Sequence, residues 1–148
     1  MSNKTTLNYE ETIAKFLDIN VDDLQLENYD HYGLEIYNGY AVGTEEEADK
    51  AVEEHIKDSA WAFNPEFLQE MTDIPQAAFA AMQDKCEDSN DPILQIIEQS
   101  CGLEDFVEAA VGADGRGHFL SSYDGNEHEE YFKSELDGKI YPIYFYKQ

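Results

Sequence analysis

The sequence predicts an α+β fold in which several short helices pack on a small antiparallel sheet built from hairpins. Three observations predict it: an Asn-Gly pair between two apolar runs, apolar residues at helical spacing in the middle of the chain, and a strand-like C-terminal run, Ile140–Tyr146. The 148 residues match the usual size of one domain, and 42% of them are hydrophobic. We therefore expect a single domain spanning residues 1–148.

The first elements are predicted to be a helix and a hairpin. Apolar residues at helical spacing predict a short amphipathic helix over 9–19. Residues 34–42 read LEIY-NG-YAV. Asn38 and Gly39 both tolerate the positive φ that a type I′ turn demands, so a β-hairpin is expected here.

The middle of the chain is predicted to be helical. Thr44 and Glu47 have the spacing of a capping box, which indicates that a helix begins there. Its buried stripe is expected to consist of small and aliphatic residues four apart: Ala48, Val52, Ile56 and Ala60.

Prolines mark three further helix starts, because proline suits the first helical position. These starts are Asn64-Pro65, Ile74-Pro75 and Asp91-Pro92, with Asn64 and Asp91 expected as N-caps. Gly102 is expected to end the third helix, and residues 103–111 to add a turn or two.

The last third of the chain is predicted to be mostly strand. From Gly112 it reads GADGRG, which predicts a glycine-rich turn, followed by a strand over 118–123 and a polar turn. A second hairpin is expected around Asp137-Gly138. Pro142 removes a ladder donor, so the C-terminal strand is expected at a sheet edge or with a bulge.

The composition is strongly acidic, with 33 Asp and Glu against 9 Lys and Arg and a formal net charge of −24. Solubility of a small domain needs a net charge of only about 2 to 8 in magnitude. Nucleic acids and anionic membranes attract basic surfaces and would repel this chain. The expected partner is therefore a basic, nucleic-acid-binding host protein, with no direct contact to nucleic acid or membrane.

Carboxylates are concentrated in residues 45–58 and 124–130. On a helix face they lie about 5–6 Å apart and approximate the spacing of phosphates. Each one taken alone is typical of a solvated face, but together they predict a partner-binding surface. The expected contact residues are Glu45, Glu46, Asp49, Glu53, Glu54, Asp58, Asp124, Glu127, Glu129 and Glu130.

Two cysteines, Cys86 and Cys101, stand outside any CxxC or Cys/His array. We expect reduced core thiols, and neither a metal site nor a cofactor. No run of 18 apolar residues occurs, and residues 1–11 lack an apolar segment, so a cytoplasmic protein is expected.

The only arginine, Arg116, lies in a glycine-rich segment, Asp114-Gly115-Arg116-Gly117-His118. Asp, Arg, His, Tyr and Glu side chains on one hairpin supply the groups of a general base, an anion clamp or metal ligands. The residues concerned are Asp114, Arg116, His118, Tyr123, Asp124 and His128. The glycines match no phosphate loop, and the simpler interpretation is that Arg116 pairs with Asp114 or Asp124 and pins the hairpin, so no catalytic residue is assigned.

Two segments carry a resemblance. EADKAVEEHIKDSAWAFNPEFL (47–68) and DGRGHFLSSYDGNEHE (114–129) resemble segments of a family of small uncharacterised proteins encoded by bacteriophages and related mobile elements. The resemblance implies a phage accessory protein that acts in the host cytoplasm. In size and charge alone, the chain is also similar to phage anti-restriction and anti-CRISPR DNA mimics.

The expected function is that of a phage-type inhibitor, which blocks a host nucleic-acid-binding defence protein by presenting a DNA-like acidic surface. One alternative is a small enzyme that uses the segment 114–128. Another is an acidic adaptor that binds a basic protein without mimicking DNA.

Overall fold

The structure is a computed structural model that describes residues 6–148. It confirms an α+β fold with an antiparallel sheet. The described residues pack as two compact units, one formed by residues 6–51 together with Arg116–Gln148, the other by Val52–Gly115. That residues 1–148 form a single domain stays a prediction.

The helices and strands of the described residues are α1 Tyr9–Leu17, β1 Leu26–His31, β2 Leu34–Tyr37, β3 Tyr40–Thr44, α2 Glu45–Ser59, α3 Pro65–Thr72, α4 Gln76–Gln83, α5 Asn90–Ser100, α6 Leu103–Asp114, α7 Arg116–Leu120, β4 His128–Lys133 and β5 Ile140–Lys147. None of these helices is both long and apolar enough to cross a lipid bilayer.

Helix α1 begins with a capping box. The Asn8 side chain accepts a hydrogen bond from the Glu11 N–H (2.8 Å), and the Glu11 carboxylate accepts one from the Asn8 N–H (2.9 Å). The helix ends before Asp18, which adopts a left-handed conformation at φ 58°. The predicted helix is therefore confirmed, but it is two residues shorter at its C-terminus.

The predicted hairpin of β2 and β3 is confirmed. Asn38 (φ 49°) and Gly39 (φ 85°) both have the positive φ of a type I′ turn. The Asn38 side chain also accepts a hydrogen bond from the Gln25 N–H (2.8 Å), which fixes the approach to β1. Strand β1 itself was not predicted, because its acidic residues lack a clear apolar alternation.

The sheet has the order β1-β2-β3-β5-β4 and is antiparallel throughout. One face packs on α1, where the Phe16 ring stacks on Phe145 with centroids 3.9 Å apart. Successive side chains of a strand point to opposite faces, so Tyr144 and Tyr146 lie on the other face. That face carries the start of α2.

The β4–β5 hairpin around Asp137-Gly138 is confirmed, but the prediction of an edge position for β5 is wrong. β5 pairs with both β3 and β4. Its pairing with β3 starts at Ile143, opposite Thr44, so Pro142 lies beyond the end of β3. A proline is tolerated inside the sheet because this part of β5 has a partner on one side only.

Helix α2 starts tightly against β3. The Thr44 N–H donates to the Glu47 carboxylate (2.9 Å), and the Glu47 N–H donates to Thr44 Oγ1 (3.4 Å), which confirms the capping box. A Cβ on Gly43 would stand 2.4 Å from Leu34 Cδ2 and 3.1 Å from Glu47 Cβ. The predicted stripe is confirmed as buried: Ala48, Val52 and Ile56 lie on α2, and Ala60 directly follows its last residue.

Local capping predictions for the unit 52–115 are partly confirmed. Asn64 caps α3 by accepting from the Glu66 N–H (2.8 Å), as predicted. Helix α4 begins at Gln76 with Pro75 as its N-cap residue, so it starts one residue later than predicted. Asp91 is not the cap of α5, because the helix already begins at Asn90.

Asn90 instead joins two parts of this unit. Its side chain accepts from the Trp61 N–H (3.1 Å) and donates to the Lys57 carbonyl (2.8 Å).

Both cysteines are free thiols, but Cys86 is exposed and Cys101 half-buried, so the predicted core location is wrong. In the unit 52–115, large apolar side chains on α3–α6 form the buried core: Leu68, Phe79, Ile93, Ile97 and Phe106.

The segment GADGRG is not a loop, and the strand predicted over 118–123 is wrong. Helix α6 continues to Asp114, Gly115 adopts φ 84°, and α7 begins at Arg116. A Cβ on Gly117 would stand 2.6 Å from the Gly125 carbonyl oxygen and 2.8 Å from backbone atoms of residues 126 and 127. Tertiary packing of this helical turn therefore outweighs the local strand preference.

Gly117→Ala is expected to destabilise the fold by about 1–3 kcal/mol, because the new methyl group would overlap backbone atoms that cannot rotate away. Gly112→Ala is the matched control. Gly112 lies in α6, where an added Cβ would meet nothing within 4 Å, so this change is expected to stabilise the helix by up to about 1 kcal/mol. Urea denaturation of both variants measures the difference, and equal stabilities would contradict the close packing of α7.

Candidate functional site

The only arginine of the chain is largely buried, with 10% of its side chain exposed. Arg116 Nη1 donates to Glu45 Oε1 (3.0 Å) and to Asp49 Oδ1 (2.9 Å). Arg116 Nε donates to Glu127 Oε1 (2.9 Å). With the two tyrosines of β5 that contact it, we call this group the Arg116 cluster: Glu45, Asp49, Arg116, Glu127, Tyr144 and Tyr146.

The tyrosines complete the cluster. The Arg116 guanidinium carbon lies 4.4 Å from the centroid of the Tyr144 ring, a cation–π contact. The Tyr144 hydroxyl lies within hydrogen-bond distance of both Glu45 and Glu129 and donates to one at a time. The Tyr146 hydroxyl donates to Glu127. Each phenol thus lies within hydrogen-bond distance of a carboxylate, Glu45 or Glu127, that also accepts a hydrogen bond from the guanidinium.

Secondary structure explains the convergence. Glu45 and Asp49 lie one turn apart on α2, so both carboxylates point the same way. Tyr144 and Tyr146 are two residues apart on β5 and share a sheet face. Glu127 immediately precedes β4, and the close packing of Gly117 keeps this segment against α7.

Burial and charge act against each other in the Arg116 cluster. Burial disfavours the charged guanidinium, but interactions with Tyr146, Glu127 and Glu45 outweigh it and raise the pKa of Arg116. Burial, followed by the hydrogen bonds to Glu127 and Glu45 respectively, raises the pKa values of Tyr146 and Tyr144. Arg116 therefore stays charged, and its donors are directed at internal carboxylates.

The predicted partners of Arg116 are wrong. Asp114 ends α6, and Asp124 accepts hydrogen bonds from the Ser121 hydroxyl (2.9 Å) and the Asn126 N–H (3.0 Å). Arg116 instead contacts carboxylates that lie 67 and 71 residues earlier in the chain, and one 11 residues later. It connects α2 to the β4 segment.

The two histidines of the proposed enzyme segment contact different parts of the fold. His118 is exposed and contacts the ring of Phe119, whereas His128 packs against Phe16 on the α1 face of the sheet. Lys147 Nζ lies 4.1 Å from the centroid of the Tyr123 ring. Among residues 6–148, no group of three or more His, Cys, Asp or Glu side chains is arranged to hold a metal ion.

The predicted acidic face divides into two classes. Glu45, Asp49 and Glu127 belong to the Arg116 cluster, and Glu129 contacts Tyr144. The other predicted residues lie outside the cluster. Of these, Glu53 and Glu54 are half-buried, and Glu54 Oε1 lies 3.6 Å from Lys57 Nζ. The remaining four are exposed: Glu46, Asp58, Asp124 and Glu130.

An acidic groove in the unit 52–115 extends the acidic surface beyond the predicted residues. It has a volume of about 570 Å³ and is lined by Asp58, Trp61, Glu87, Asp88, Asn90 and Asp91. Of these residues only Asp58 was expected at a contact surface. The signal in the sequence is the acidic run CEDSND at 86–91, which the helix prediction treated only as a capping segment.

The fold and the Arg116 cluster define an acidic α+β protein whose only arginine is neutralised internally. No protein-family model, curated protein or solved structure matches the chain. The resemblance to phage proteins therefore stays a prediction.

Asp49→Asn is expected to lower the free energy of unfolding by about 0.5–1.5 kcal/mol, because the buried Arg116 loses one charged acceptor while the Asp49 side chain itself is well exposed. Glu53→Gln, on the same helix and outside the cluster, is expected to change it by less than about 0.5 kcal/mol. Thermal and urea denaturation test both variants. A more stable Asp49→Asn protein would show that repulsion between acids outweighs the pairing.

Stability is expected to fall as the pH rises above about 10. The pKa values of Tyr9, Tyr144 and Tyr146 are raised in the fold, foremost by burial, so their neutral forms stabilise it below the unfolded pKa and this contribution is lost at higher pH. Absorbance at a phenolate wavelength follows ionisation of the tyrosines, and circular dichroism follows unfolding. Tyr146→Phe should make the free energy of unfolding fall less steeply with pH, whereas Tyr123→Phe, at an exposed position, should leave that slope unchanged.

Proposed function

We propose that the protein is a phage-type inhibitor that binds the basic surface of a host nucleic-acid-binding defence protein and presents a DNA-like acidic surface to it. It acts in the host cytoplasm. Such binding requires that the protein's negative charge remain available to a partner. Carboxylates that already form ion pairs with the few lysines and arginine of the fold are not available in this way.

The observation that carries the proposal is the distribution of the cations. Formal net charge is −24, and the single arginine is directed inward. Within residues 6–148, ion pairs with Lys or Arg involve only four carboxylates: Glu45, Asp49, Glu54 and Glu127. Most of the 33 acidic residues therefore depend on solvent ions or on a partner for neutralisation.

A basic nucleic-acid-binding groove provides that neutralisation. Such grooves bind phosphates through Lys and Arg and release the counterions condensed on the polyanion. A folded protein with carboxylates about 5–6 Å apart on helix faces offers a comparable array of charges, and its long-range field accelerates association. Glu46, Glu53 and Asp58 are carboxylates of α2 that do not belong to the Arg116 cluster. They are seven and five residues apart, so they lie about 7–10 Å from one another along the helix axis, a wider spacing than that of adjacent turns.

The main experiment is capture of proteins from host lysate on the immobilised protein, followed by a competition assay with the captured protein and its DNA or RNA. The affinity is expected to fall at least tenfold between about 50 and about 500 mM salt, because the attraction is electrostatic. Excess inhibitor should displace the nucleic acid. Binding that does not compete with nucleic acid would support an adaptor, and binding that does not respond to salt would contradict the proposal.

Charge-matched variants test whether a particular face is used. The triple change Glu46→Gln, Glu53→Gln and Asp58→Asn on α2 is expected to weaken binding about tenfold at low salt. A control triple on exposed positions of α5 and α6, Glu98→Gln, Glu104→Gln and Glu108→Gln, removes the same charge and should weaken binding less than threefold. Equal losses would show that total charge, and not the α2 face, determines the affinity.

A further inference from the structure

The β4–β5 turn, residues 134–139, presents an apolar side chain to solvent. Leu136 is 98% exposed, the highest value among the exposed large hydrophobic residues of the described chain. Tyr141 and Ile140, at the start of β5, are each more than a third exposed. An apolar group exposed so completely, next to others, is typical of an interaction site.

The turn holds Leu136 in place. The Ser134 N–H donates to the Lys139 carbonyl (2.8 Å), and the Gly138 N–H donates to the Ser134 carbonyl (2.9 Å). The Leu136 N–H donates to Ser134 Oγ (3.2 Å), and Asp137 accepts from the Lys139 N–H (2.8 Å) and from the hydroxyl of Tyr141. The backbone of the turn is therefore pre-organised, which lowers the entropy cost of ordering this segment in a complex.

A groove of about 510 Å³ lies beside this leucine in the same unit. We call it the Leu136 groove. Its apolar walls are Phe132, Leu136, Tyr141 and Pro142, and its acidic residues are Glu45, Glu46 and Asp137. Glu45 already forms an ion pair with Arg116. Glu46 and Asp137 have no ion pair with Lys or Arg among the described residues, so they are the carboxylates that a partner cation would meet.

A second copy of this chain does not fit the groove, because each copy carries a net charge of −24 and the rim is acidic. Addition of a strand to the outer edge of β4 is also disfavoured. The Lys133 N–H already donates to the Leu7 carbonyl (2.8 Å), and the Tyr131 carbonyl accepts from the Thr12 hydroxyl (3.3 Å). A basic partner's side chains remain the complementary occupant.

We propose that the Leu136 groove is the docking site for an apolar side chain of the basic partner protein, flanked by partner lysines or arginines that face Glu46 and Asp137. This inference rests on the proposed function and specifies the contact that supplements charge. Charge attraction weakens as salt screens it, whereas burial of Leu136 and Tyr141 contributes an attraction that salt does not screen.

Two short synthetic peptides with the same number of lysines serve as probes, one with leucine at the positions where the other has serine. At about 300 mM salt, where charge attraction is screened, the leucine peptide is expected to bind the wild-type protein about fivefold more tightly than the serine peptide. Fluorescence anisotropy measures both affinities. Amide chemical shifts should change most around residues 131–142.

Leu136→Ser should abolish the preference for the leucine peptide without changing the melting temperature, because the side chain is almost fully exposed. Leu26→Ser is the matched control: Leu26 is 55% exposed on β1, at the opposite edge of the sheet, and its replacement should preserve the preference. Loss of the preference in both variants, or in neither, would overturn the proposed groove.

The probes also separate this inference from the proposed function. If both peptides bind at about 50 mM salt with equal affinity at every salt concentration, the groove is not a docking site, while the acidic surface still attracts a basic partner. If neither peptide binds at about 50 mM salt, the acidic surface does not attract cationic protein segments. That result would contradict the proposed function and the groove together.

Discussion

The contact between one buried guanidinium and three carboxylates organises the larger part of the sheet unit. Arg116 is 10% exposed, and a buried charge without partners costs several kcal/mol. Glu45, Asp49 and Glu127 supply those partners, but without the cation they would repel one another across α2 and the β4 segment. A single arginine therefore converts a repulsive arrangement of acids into a cohesive one, and the hydroxyls of Tyr144 and Tyr146 fix its geometry.

This internal use of the arginine separates structural acids from available ones. Carboxylates of the Arg116 cluster have charged partners in the fold, so a partner protein could recruit them only by replacing those contacts. Glu46 follows Glu45 in α2 but lies outside the cluster, as does Asp58 near the end of the same helix. From the sequence alone, all of these residues were predicted to form one acidic face. The distinction depends on contacts between elements that sequence spacing does not reveal.

The parts of the fold that local chemistry determines were predictable. The Asn38-Gly39 turn depends on positive φ at two adjacent residues. The Thr44–Glu47 capping box and the Asn64 cap depend on hydrogen bonds between residues at most three apart. The helix at Arg116 was not predictable in this way, because it depends on the fit of Gly117 against residues 125–127. Likewise, the acids nearest to Arg116 in sequence were the predicted partners, whereas two of its actual partners lie 67 and 71 residues away.

The acidic surface and the Leu136 groove address different physical requirements of one binding event. Charge acts over a distance of about 10 Å at moderate salt and raises the rate of encounter, but it attracts every basic surface in the cell. Discrimination requires a contact that other basic surfaces do not match. A rigid turn that exposes Leu136 beside Tyr141 and Pro142 provides a short-range contact of that kind, because only a partner with an apolar side chain at the right position gains from it. Neither feature alone combines fast association with selectivity.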